Sequence, residues 1–218
     1  MIPYETKDIR TIVLLGHGAS GKTSLVESML YKAGATTRLG SVEDGTSVAD
    51  YDADAKEKKH TIDSSILHCN WKGREINIID TPGYADFIRD TITSLVAAET
   101  ALFTISATDG IQVNTGKLWN LACQKGLGKV IVITKIDGEN VDYQALLDSL
   151  KNTLGSTCVP LVLPIGTGHD FQGVVNVFEL PNPLPNGVVG DAHSAHDALI
   201  EAIVSADDAL MEKYLDGK

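Results

Sequence analysis

TIVLLGHGASGKTSL, residues 11 to 25, joins an apolar run to a glycine-rich turn and then to the start of a helix. The apolar run belongs to a buried strand predicted over residues 8 to 16, and the helix is predicted over residues 22 to 33. Residues 16 to 23 match the pattern G-x-x-x-x-G-K-[ST] in full, in the strand–turn–helix context that the pattern requires. Glycines let backbone N–H groups curve around phosphate oxygens, and the helix N-terminus adds a favourable dipole. We therefore predict a phosphate-binding loop made of Gly16, His17, Gly18, Ala19, Ser20, Gly21, Lys22 and Thr23.

Two side chains of this phosphate loop have specific chemistry. Lys22 is placed to reach the β- and γ-phosphates of a nucleotide, and the hydroxyl of Thr23 is placed to bind Mg²⁺. A glycine-rich turn that binds nothing is the alternative interpretation, and it explains the strand–turn–helix context less well. The loop by itself indicates a nucleoside triphosphate and does not identify the base.

A second motif, DTPGY at residues 80 to 84, also follows an apolar strand. Asp80 is placed to hold Mg²⁺ through water, and the N–H of Gly83 is placed to meet the γ-phosphate. We predict that this edge of the nucleotide pocket comprises Asp80, Thr81, Pro82, Gly83 and Tyr84.

A third motif, TKID, ends another predicted strand. The stem of Lys135 can lie along a purine face, and the carboxylate of Asp137 can accept two hydrogen bonds from N1–H and the 2-amino group of guanine, which adenine lacks. The predicted base-binding residues are Thr134, Lys135, Ile136 and Asp137. The three motifs in this order, each at a strand end, predict a guanine nucleotide, GTP or GDP.

The first two-thirds of the chain alternates predicted strands and helices around these motifs. A polar loop over residues 35 to 60 precedes a hairpin of two strands with its turn at Lys72-Gly73. The pattern predicts an α/β fold, a P-loop NTPase with a mostly parallel sheet, helices on both faces and one antiparallel edge strand. The other predicted elements are a helix at 86–98, a strand at 100–108, a helix at 112–126, a strand at 129–135 and a helix at 142–154.

The pattern changes after Gly155. Two strands are predicted at residues 159–166 and 173–180, and a single helix is predicted over residues 195–215. Its apolar face would consist of Leu199, Ile203, Ala206, Leu210 and Tyr214. These elements predict a small α+β subdomain.

Composition limits the classes of function. The 218 residues carry a formal net charge of −11, which argues against binding free DNA through a basic face. The three cysteines are far apart and form no C-x-x-C pair, as expected of reduced thiols in a cytoplasmic protein. The sequence has no apolar run long enough for a membrane helix, and its first residues do not resemble a signal peptide.

The three motifs together resemble those of the translational GTPases, most closely the G domain of elongation factor G. Further segments extend the similarity over nearly the whole chain: DADAKEKKHTIDSS from residue 52, TDGIQVNT from residue 108, VPLVLPIG, GVVNVFELP and ALMEKYLDG. The resemblance implies a ribosome-dependent GTPase that uses Mg²⁺ and acts in translocation. It also implies that Thr61 binds Mg²⁺ and the γ-phosphate, that residues 35–61 form switch I, and that switch II runs from Gly83 to about residue 98.

The resemblance also implies a domain division. Residues 1–157 would be the GTP-binding G domain, and residues 158–218 the inserted subdomain typical of elongation factor G. On this interpretation the chain is a monomeric N-terminal fragment whose sheet lacks its last strand and exposes an edge.

The sequence departs from the family pattern at five positions. Tyr84 stands where the family has a water-placing histidine, and Ala19 replaces an aspartate of the phosphate loop. Gly18 and His60 replace two apolar residues that flank that histidine. Thr134 replaces the asparagine of N-K-x-D, which predicts a looser connection between the base loop and the phosphate loop.

These departures affect the predicted catalytic residues, which are Lys22, Thr61, Gly83 and Tyr84. A phenol ordinarily titrates near pH 10, so a tyrosine cannot be a general base at neutral pH, although it can orient water. Loss of a positioned acid–base group typically costs on the order of 10²–10⁴ in rate. The sequence therefore predicts slow GTP hydrolysis, and His60, beside Thr61, is a second candidate for bringing an imidazole to the site.

Two other functions fit the same sequence. A GTP-binding switch on the ribosome with little or no hydrolysis would explain the changed residues around the γ-phosphate. A sister translational GTPase, either a release factor or a ribosomal protection protein, would share the G domain.

Overall fold

The computed structural model describes residues 4–216, without the side chain of Leu215. The chain forms two compact units, residues 1–134 and residues 135–218. The predicted domain division after residue 157 rests on family resemblance and stays a prediction. In the described residues no helix is long and apolar enough to cross a membrane.

The first unit contains a five-stranded sheet in the order β2-β3-β1-β4-β5. Strands β1, β3, β4 and β5 are parallel, and β2 pairs with β3 in the antiparallel sense. The predicted sheet with one antiparallel edge strand is thus confirmed. Strand bounds are Ile9–Gly16 for β1, Ser65–Trp71 for β2, Arg74–Asp80 for β3, Thr100–Ser106 for β4 and Gly128–Thr134 for β5.

Helices cover both faces of this sheet, as predicted. On one face, Val26 and Leu30 of the first long helix, α1 (Lys22–Lys32), form a core cluster with Leu14 and Ile78. On the other face, Trp119 of a later helix lies with its ring 5.0 Å from that of Phe103. Val13, Leu14 and Leu15 of β1 are all buried, and because successive residues of a strand point to opposite faces, this part of β1 is covered on both sides. The other helices of this unit are α2 (Ala53–Lys58), α3 (Ile88–Ser94) and α4 (Val113–Gln124).

Two segments of the first unit differ from the prediction. The polar loop at residues 35–60 contains the short helix α2. The helix predicted over residues 86–98 is shorter, because a 3₁₀ turn at Ala85–Phe87 precedes α3 and α3 ends at Ser94. The hydroxyls of Thr93 and Ser94 donate to the carbonyls of Arg89 and Asp90, a side-chain pattern that weakens a helix end.

The second unit consists of α5 (Tyr143–Leu154), a two-stranded antiparallel sheet and two further helices. The strands β6 (Val162–Ile165) and β7 (Gly173–Asn176) lie within the predicted segments and are shorter. The prediction of one helix over residues 195–215 was wrong, since α6 (Ala192–Val204) and α7 (Asp208–Leu215) are separate.

The break between α6 and α7 has a local cause. The carboxylate of Asp207 accepts hydrogen bonds from the N–H groups of Ala209 and Leu210 and so caps a new helix. The continuous apolar face that was predicted does not form, and Leu210 and Tyr214 are 40% and 55% exposed.

Candidate nucleotide-binding site

The phosphate loop connects the end of β1 to the start of α1, as predicted. Gly16 and Gly21 have φ angles of 154° and 88°, a region that favours glycine. A side chain at residue 16 would also collide with oxygens of Thr104 and Ser20, whose hydroxyls lie 2.7 Å apart. The loop is therefore fixed both by its own backbone conformation and by β4 behind it.

The side chain of Lys22 lies buried inside this loop. Its Nζ donates to the carbonyls of Gly16 and His17 at 3.2 and 3.0 Å. Burial lowers the pKa of Lys22 to about 8, and the carboxylates of Asp80 and Asp50 oppose that shift. The ammonium group thus lies against the backbone of the phosphate loop, in a position that suits neutralising phosphate charge.

The three predicted metal-binding residues lie together. The hydroxyl of Thr23 donates to Asp80 Oδ2 at 2.7 Å and lies 3.0 Å from the hydroxyl of Thr61. All three side chains are buried. Burial raises the pKa of Asp80 to about 6, against the opposing effects of the Thr23 hydrogen bond and the Lys22 ammonium.

Asp50 is a fourth member of this cluster that the sequence analysis did not identify. It is 4% exposed, and neither carboxylate oxygen has a well-formed hydrogen bond. Burial raises the pKa of Asp50, although the Thr61 hydroxyl lies close enough to oppose the shift. Asp50 lies in a loop rich in aspartate, so only its burial in the folded chain distinguishes it from its neighbours.

The cluster suits a hard divalent cation. Three of its buried carboxylate oxygens have no well-formed hydrogen bond, namely both oxygens of Asp50 and Oδ1 of Asp80, and two hydroxyls lie beside them. Mg²⁺ prefers oxygen ligands and usually combines one or two carboxylates with phosphates and water. Within residues 4–216 no group of three or more His, Cys, Asp or Glu side chains could hold a metal. A Mg²⁺ here would take its remaining ligands from water or from nucleotide phosphates.

Glu27, on α1, holds the segment that carries Asp50. Its Oε1 accepts hydrogen bonds from the Ser47 hydroxyl at 2.8 Å and from the N–H groups of Val48 and Ala49 at 2.6 and 3.2 Å. Glu27 is fully buried. Sequence reasoning missed this role, because a glutamate in an amphipathic helix is ordinarily a solvent-facing residue.

The segment after β3 passes directly over the phosphate loop. The Thr81 hydroxyl donates to the Leu14 carbonyl at 2.6 Å, which ties the segment to β1. A Cβ atom added at Gly83 would collide with the Lys22 ammonium and would lie 2.6 Å from the Gly18 nitrogen. Only a glycine lets the backbone approach the loop this closely.

The next residue, Tyr84, forms the aromatic side of the pocket. Its ring lies against the backbone of Gly18, and its centroid is 4.9 Å from that of the His60 ring. Tyr84 is 41% exposed, so the phenol faces solvent on one side. Ala19, which is exposed, has a φ angle of 59°.

The base-binding motif is divided between the two compact units. Thr134, the last residue of the first unit, donates its hydroxyl to the Ser20 carbonyl at 2.7 Å. This hydrogen bond joins the base loop to the phosphate loop, and the expectation that it is looser than an asparagine would give stays a prediction. Lys135, Ile136 and Asp137 begin the second unit, where the Ile136 carbonyl accepts a hydrogen bond from Gly168 N at 2.9 Å. Their role in binding a base stays a prediction.

Comparison with known proteins identifies the family. Residues 7–214 match the elongation factor Tu GTP binding domain family. An elongation factor G from Granulibacter bethesdensis is 34% identical over 95% of this chain and 32% of its own length. An elongation factor G-like protein from Mycobacterium tuberculosis is 33% identical over 96% of this chain and 30% of its own length.

A solved structure agrees with these sequence relatives. A crystal structure of a protein from Thermus thermophilus superposes with a TM-score of 0.84 and 37% identity, covering 96% of this chain and 33% of that one. The chain thus spans about a third of the length of the proteins it matches. The chain belongs to the elongation factor Tu GTP-binding domain family, as a G domain of the elongation factor G-like translational GTPases.

Proposed function

We propose that this domain binds GTP and GDP with Mg²⁺ and that the whole protein hydrolyses GTP on the ribosome during translocation. The observation that carries the proposal is the buried cluster of Lys22, Thr23, Thr61 and Asp80, which holds an ammonium group and unpartnered carboxylate oxygen at the mouth of a phosphate loop. Burying such groups without a ligand is costly, whereas an anion and a divalent cation would satisfy them together.

The chain's own residues have distinct roles in this proposal. Lys22 and the loop N–H groups would bind the phosphates, the hydroxyls of Thr23 and Thr61 would be ligands of Mg²⁺, and Asp80 would hold the metal through a water molecule. Asp50 adds a second carboxylate beside Asp80. When bound, Mg²⁺ neutralises charge that develops on the phosphates. Gly83 offers its N–H to the γ-phosphate, and Thr134 to Asp137 select guanine.

Hydrolysis depends in this proposal on the aromatic side of the pocket. The Tyr84 hydroxyl orients the attacking water by donating or accepting a hydrogen bond, without removing its proton. The proposed consequence is slow turnover compared with a histidine-containing relative, by on the order of 10²–10⁴. His60, whose ring packs against that of Tyr84, is a second candidate for contacting the water.

The first test is nucleotide selectivity. We expect the chain to bind GTP and GDP in a Mg²⁺-dependent manner and to bind ATP at least about 100-fold more weakly, because an unpaired Asp137 would penalise adenine. Inosine triphosphate, which lacks only the 2-amino group, isolates one hydrogen bond. An Asp137→Ala variant should lose the preference for GTP over inosine triphosphate. Equal binding of GTP and ATP by the unsubstituted chain would contradict the proposal.

A second candidate function is a GTP-binding switch with little hydrolysis, whose partner recognises the GTP state. The presence of Tyr84, Gly18 and His60 around the phosphate loop favours it. Single-turnover hydrolysis by the whole protein, with and without ribosomes, separates the two: product formation only with ribosomes supports the GTPase, and tight GTP binding without product supports the switch. Both candidate functions imply a ribosomal partner and a cytoplasmic location. A release factor or a ribosomal protection protein would contain the same kind of G domain.

A further inference from the structure

Gly18 and the ring of Tyr84 occupy the same small volume. A Cβ atom built on Gly18 would lie 2.7 Å from both Cε1 and Cζ of Tyr84 and 3.0 Å from Cε2. Carbon atoms that are not bonded to each other normally lie about 3.5–4.0 Å apart. The Tyr84 ring therefore fills the space that any side chain at residue 18 would need.

The backbone does not itself require glycine at this position. Gly16 and Gly21 of the same loop have positive φ angles, which disfavour other residues, but Gly18 is not among the positive-φ glycines. A Cβ at Gly21 would meet only ordinary contacts with Thr134, at 3.6 Å or more. The two positions thus require glycine for different reasons. Gly21 is required because its φ angle is positive, and Gly18 because a side chain there would clash with the Tyr84 ring.

A second contact fixes the ring on the side of His60. The His60 ring lies with its centroid 4.9 Å from that of Tyr84 and tilted by 59°, which is a normal geometry for aromatic packing. His60 is held in turn beside Phe87, at 6.3 Å. Gly83, the residue before Tyr84, is pressed against the Lys22 ammonium. The phenol is thereby kept next to the group proposed to bind phosphate.

We propose that Gly18 is a positioning residue for Tyr84, so that residues 18 and 84 act as one unit: the glycine admits the ring over the phosphate loop and thereby sets where the phenol lies. The part of this inference that concerns hydrolysis rests on the proposed function, while the packing of ring on glycine does not. A methyl group at residue 18 would push the ring away by about 1 Å to restore normal contacts. A misplacement of about 1 Å can reduce a catalytic rate on the order of 100-fold.

Nuclear magnetic resonance tests the packing without any assumption about activity. A ring stacked on Gly18 shifts the resonances of the Gly18 α-protons through its ring current. We expect Tyr84→Leu to move these resonances strongly, in nucleotide-free and GDP-bound chains alike. Tyr31→Leu is the matched control, since Tyr31 is an exposed tyrosine of the same unit, on α1. Unchanged Gly18 resonances in the Tyr84→Leu chain would overturn the inference.

A double-mutant cycle tests the coupling. We expect Gly18→Val to lower single-turnover GTP hydrolysis on the order of 100-fold when Tyr84 is present, and to lower nucleotide affinity much less. In a Tyr84→Leu background, where a smaller and more adaptable side chain has replaced the ring, the same Gly18→Val change should cost less than about fivefold, because the two effects are not independent.

Gly21→Ala is the control that separates a steric requirement for glycine from a requirement for a positive φ angle. The effect of Gly21→Ala on nucleotide binding comes from the positive φ angle of Gly21. It should therefore be equal in the unsubstituted and the Tyr84→Leu backgrounds. Equal costs of Gly18→Val in the two backgrounds would overturn the inference, since residue 18 would then act by itself. Failure of the unsubstituted chain to bind nucleotide would overturn the proposed function, and the resonance experiment would still decide whether Gly18 positions the ring.

Discussion

The proposed metal side of the pocket contains Lys22, Thr23, Thr61 and Asp80, its aromatic side contains Tyr84, and the two are built in different ways. On the metal side, Thr23, Thr61 and Asp80 are buried, and the Thr23 hydroxyl lies 2.7 Å from an Asp80 oxygen and 3.0 Å from the Thr61 hydroxyl. On the aromatic side, Tyr84 is 41% exposed and contacts rings and a glycine backbone. The first side depends on polar groups that each need a partner, and the second depends on shape.

We propose that this difference bears on the departures from the family pattern that the resemblance predicts around Tyr84. A buried carboxylate or ammonium that loses its partner costs several kcal/mol, so a single change on the metal side alters the charge balance of the whole cluster. An exposed ring can be exchanged if the space around it changes as well. Gly18 and His60, two of the departures that the resemblance predicts, both lie against the Tyr84 ring.

The largest effect is expected from Lys22→Ala on the metal side. Removing a buried charge that binds phosphate typically costs about 2–5 kcal/mol, so GDP affinity should fall by roughly 100-fold or more. Lys32→Ala is the matched control, because Lys32 is an exposed lysine at the other end of α1. Titration of a fluorescent GDP analogue measures both, and equal affinities would show that the metal side does not bind phosphate.

Asp80→Asn should lower metal-dependent nucleotide affinity but raise the stability of the metal-free chain. Metal-dependent nucleotide affinity should fall by about 10–100-fold, as for other residues that orient a metal's ligands. The metal-free chain should instead become more stable at pH 7, since burial penalises the Asp80 carboxylate and raises its pKa to about 6.

The pH dependence of the stability gain in Asp80→Asn follows from the direction of the Asp80 pKa shift. The raised pKa means that Asp80 contributes stability below about pH 4, its unfolded-state value, and that this contribution is lost as pH rises through about 6. The difference in stability between the Asp80→Asn chain and the unsubstituted chain should therefore be near zero at about pH 4. It should grow towards pH 7, to at most roughly 3 kcal/mol for a shift of about two units. Urea unfolding in a chelator measures it, and a difference that shrinks with rising pH would contradict the assigned cause.

Glu27 links α1 to the segment that carries Asp50. Its replacement should have a local effect, on the hydrogen exchange of that segment. In Glu27→Ala, the N–H groups of Val48 and Ala49 lose their acceptor, so their hydrogen exchange should accelerate by about tenfold or more for a lost bond of this strength. Glu27→Gln keeps an oxygen acceptor and should accelerate exchange less. Equal exchange rates in both variants and the unsubstituted chain would show that residues 47–50 are held by other contacts.

The smallest effect on nucleotide affinity is expected from Tyr84→Phe on the aromatic side. The ring and its packing on Gly18 stay, and only the hydroxyl is lost, so nucleotide affinity should be unchanged. Turnover should fall on the order of 100-fold, about as far as for Gly18→Val, because both changes take the hydroxyl away from the attacking water. Turnover equal to that of the unsubstituted protein would show that the hydroxyl does not orient the water, and a large loss of nucleotide affinity would remove the contrast between the two sides.

The sequence predicted those parts of the site that depend on local pattern. The phosphate loop, the DTPG segment and the strand ends follow from glycine spacing and apolar runs, and they lie where predicted. Asp50 and Glu27 were missed, because an acid in a polar loop or on a helix has no local mark of burial. The break at Asp207 was missed because the apolar spacing on either side is continuous, although the aspartate itself is a typical helix cap.

Isothermal titration of GTP and ATP into the chain, each with Mg²⁺ and with a chelator, tests the central claim most directly. We expect GTP to bind at least about tenfold more tightly with Mg²⁺ than without it, and at least about 100-fold more tightly than ATP. GTP binding that is indifferent to Mg²⁺, or that ATP matches, would show that the buried cluster of Lys22, Thr23, Thr61 and Asp80 is not a Mg²⁺–GTP site.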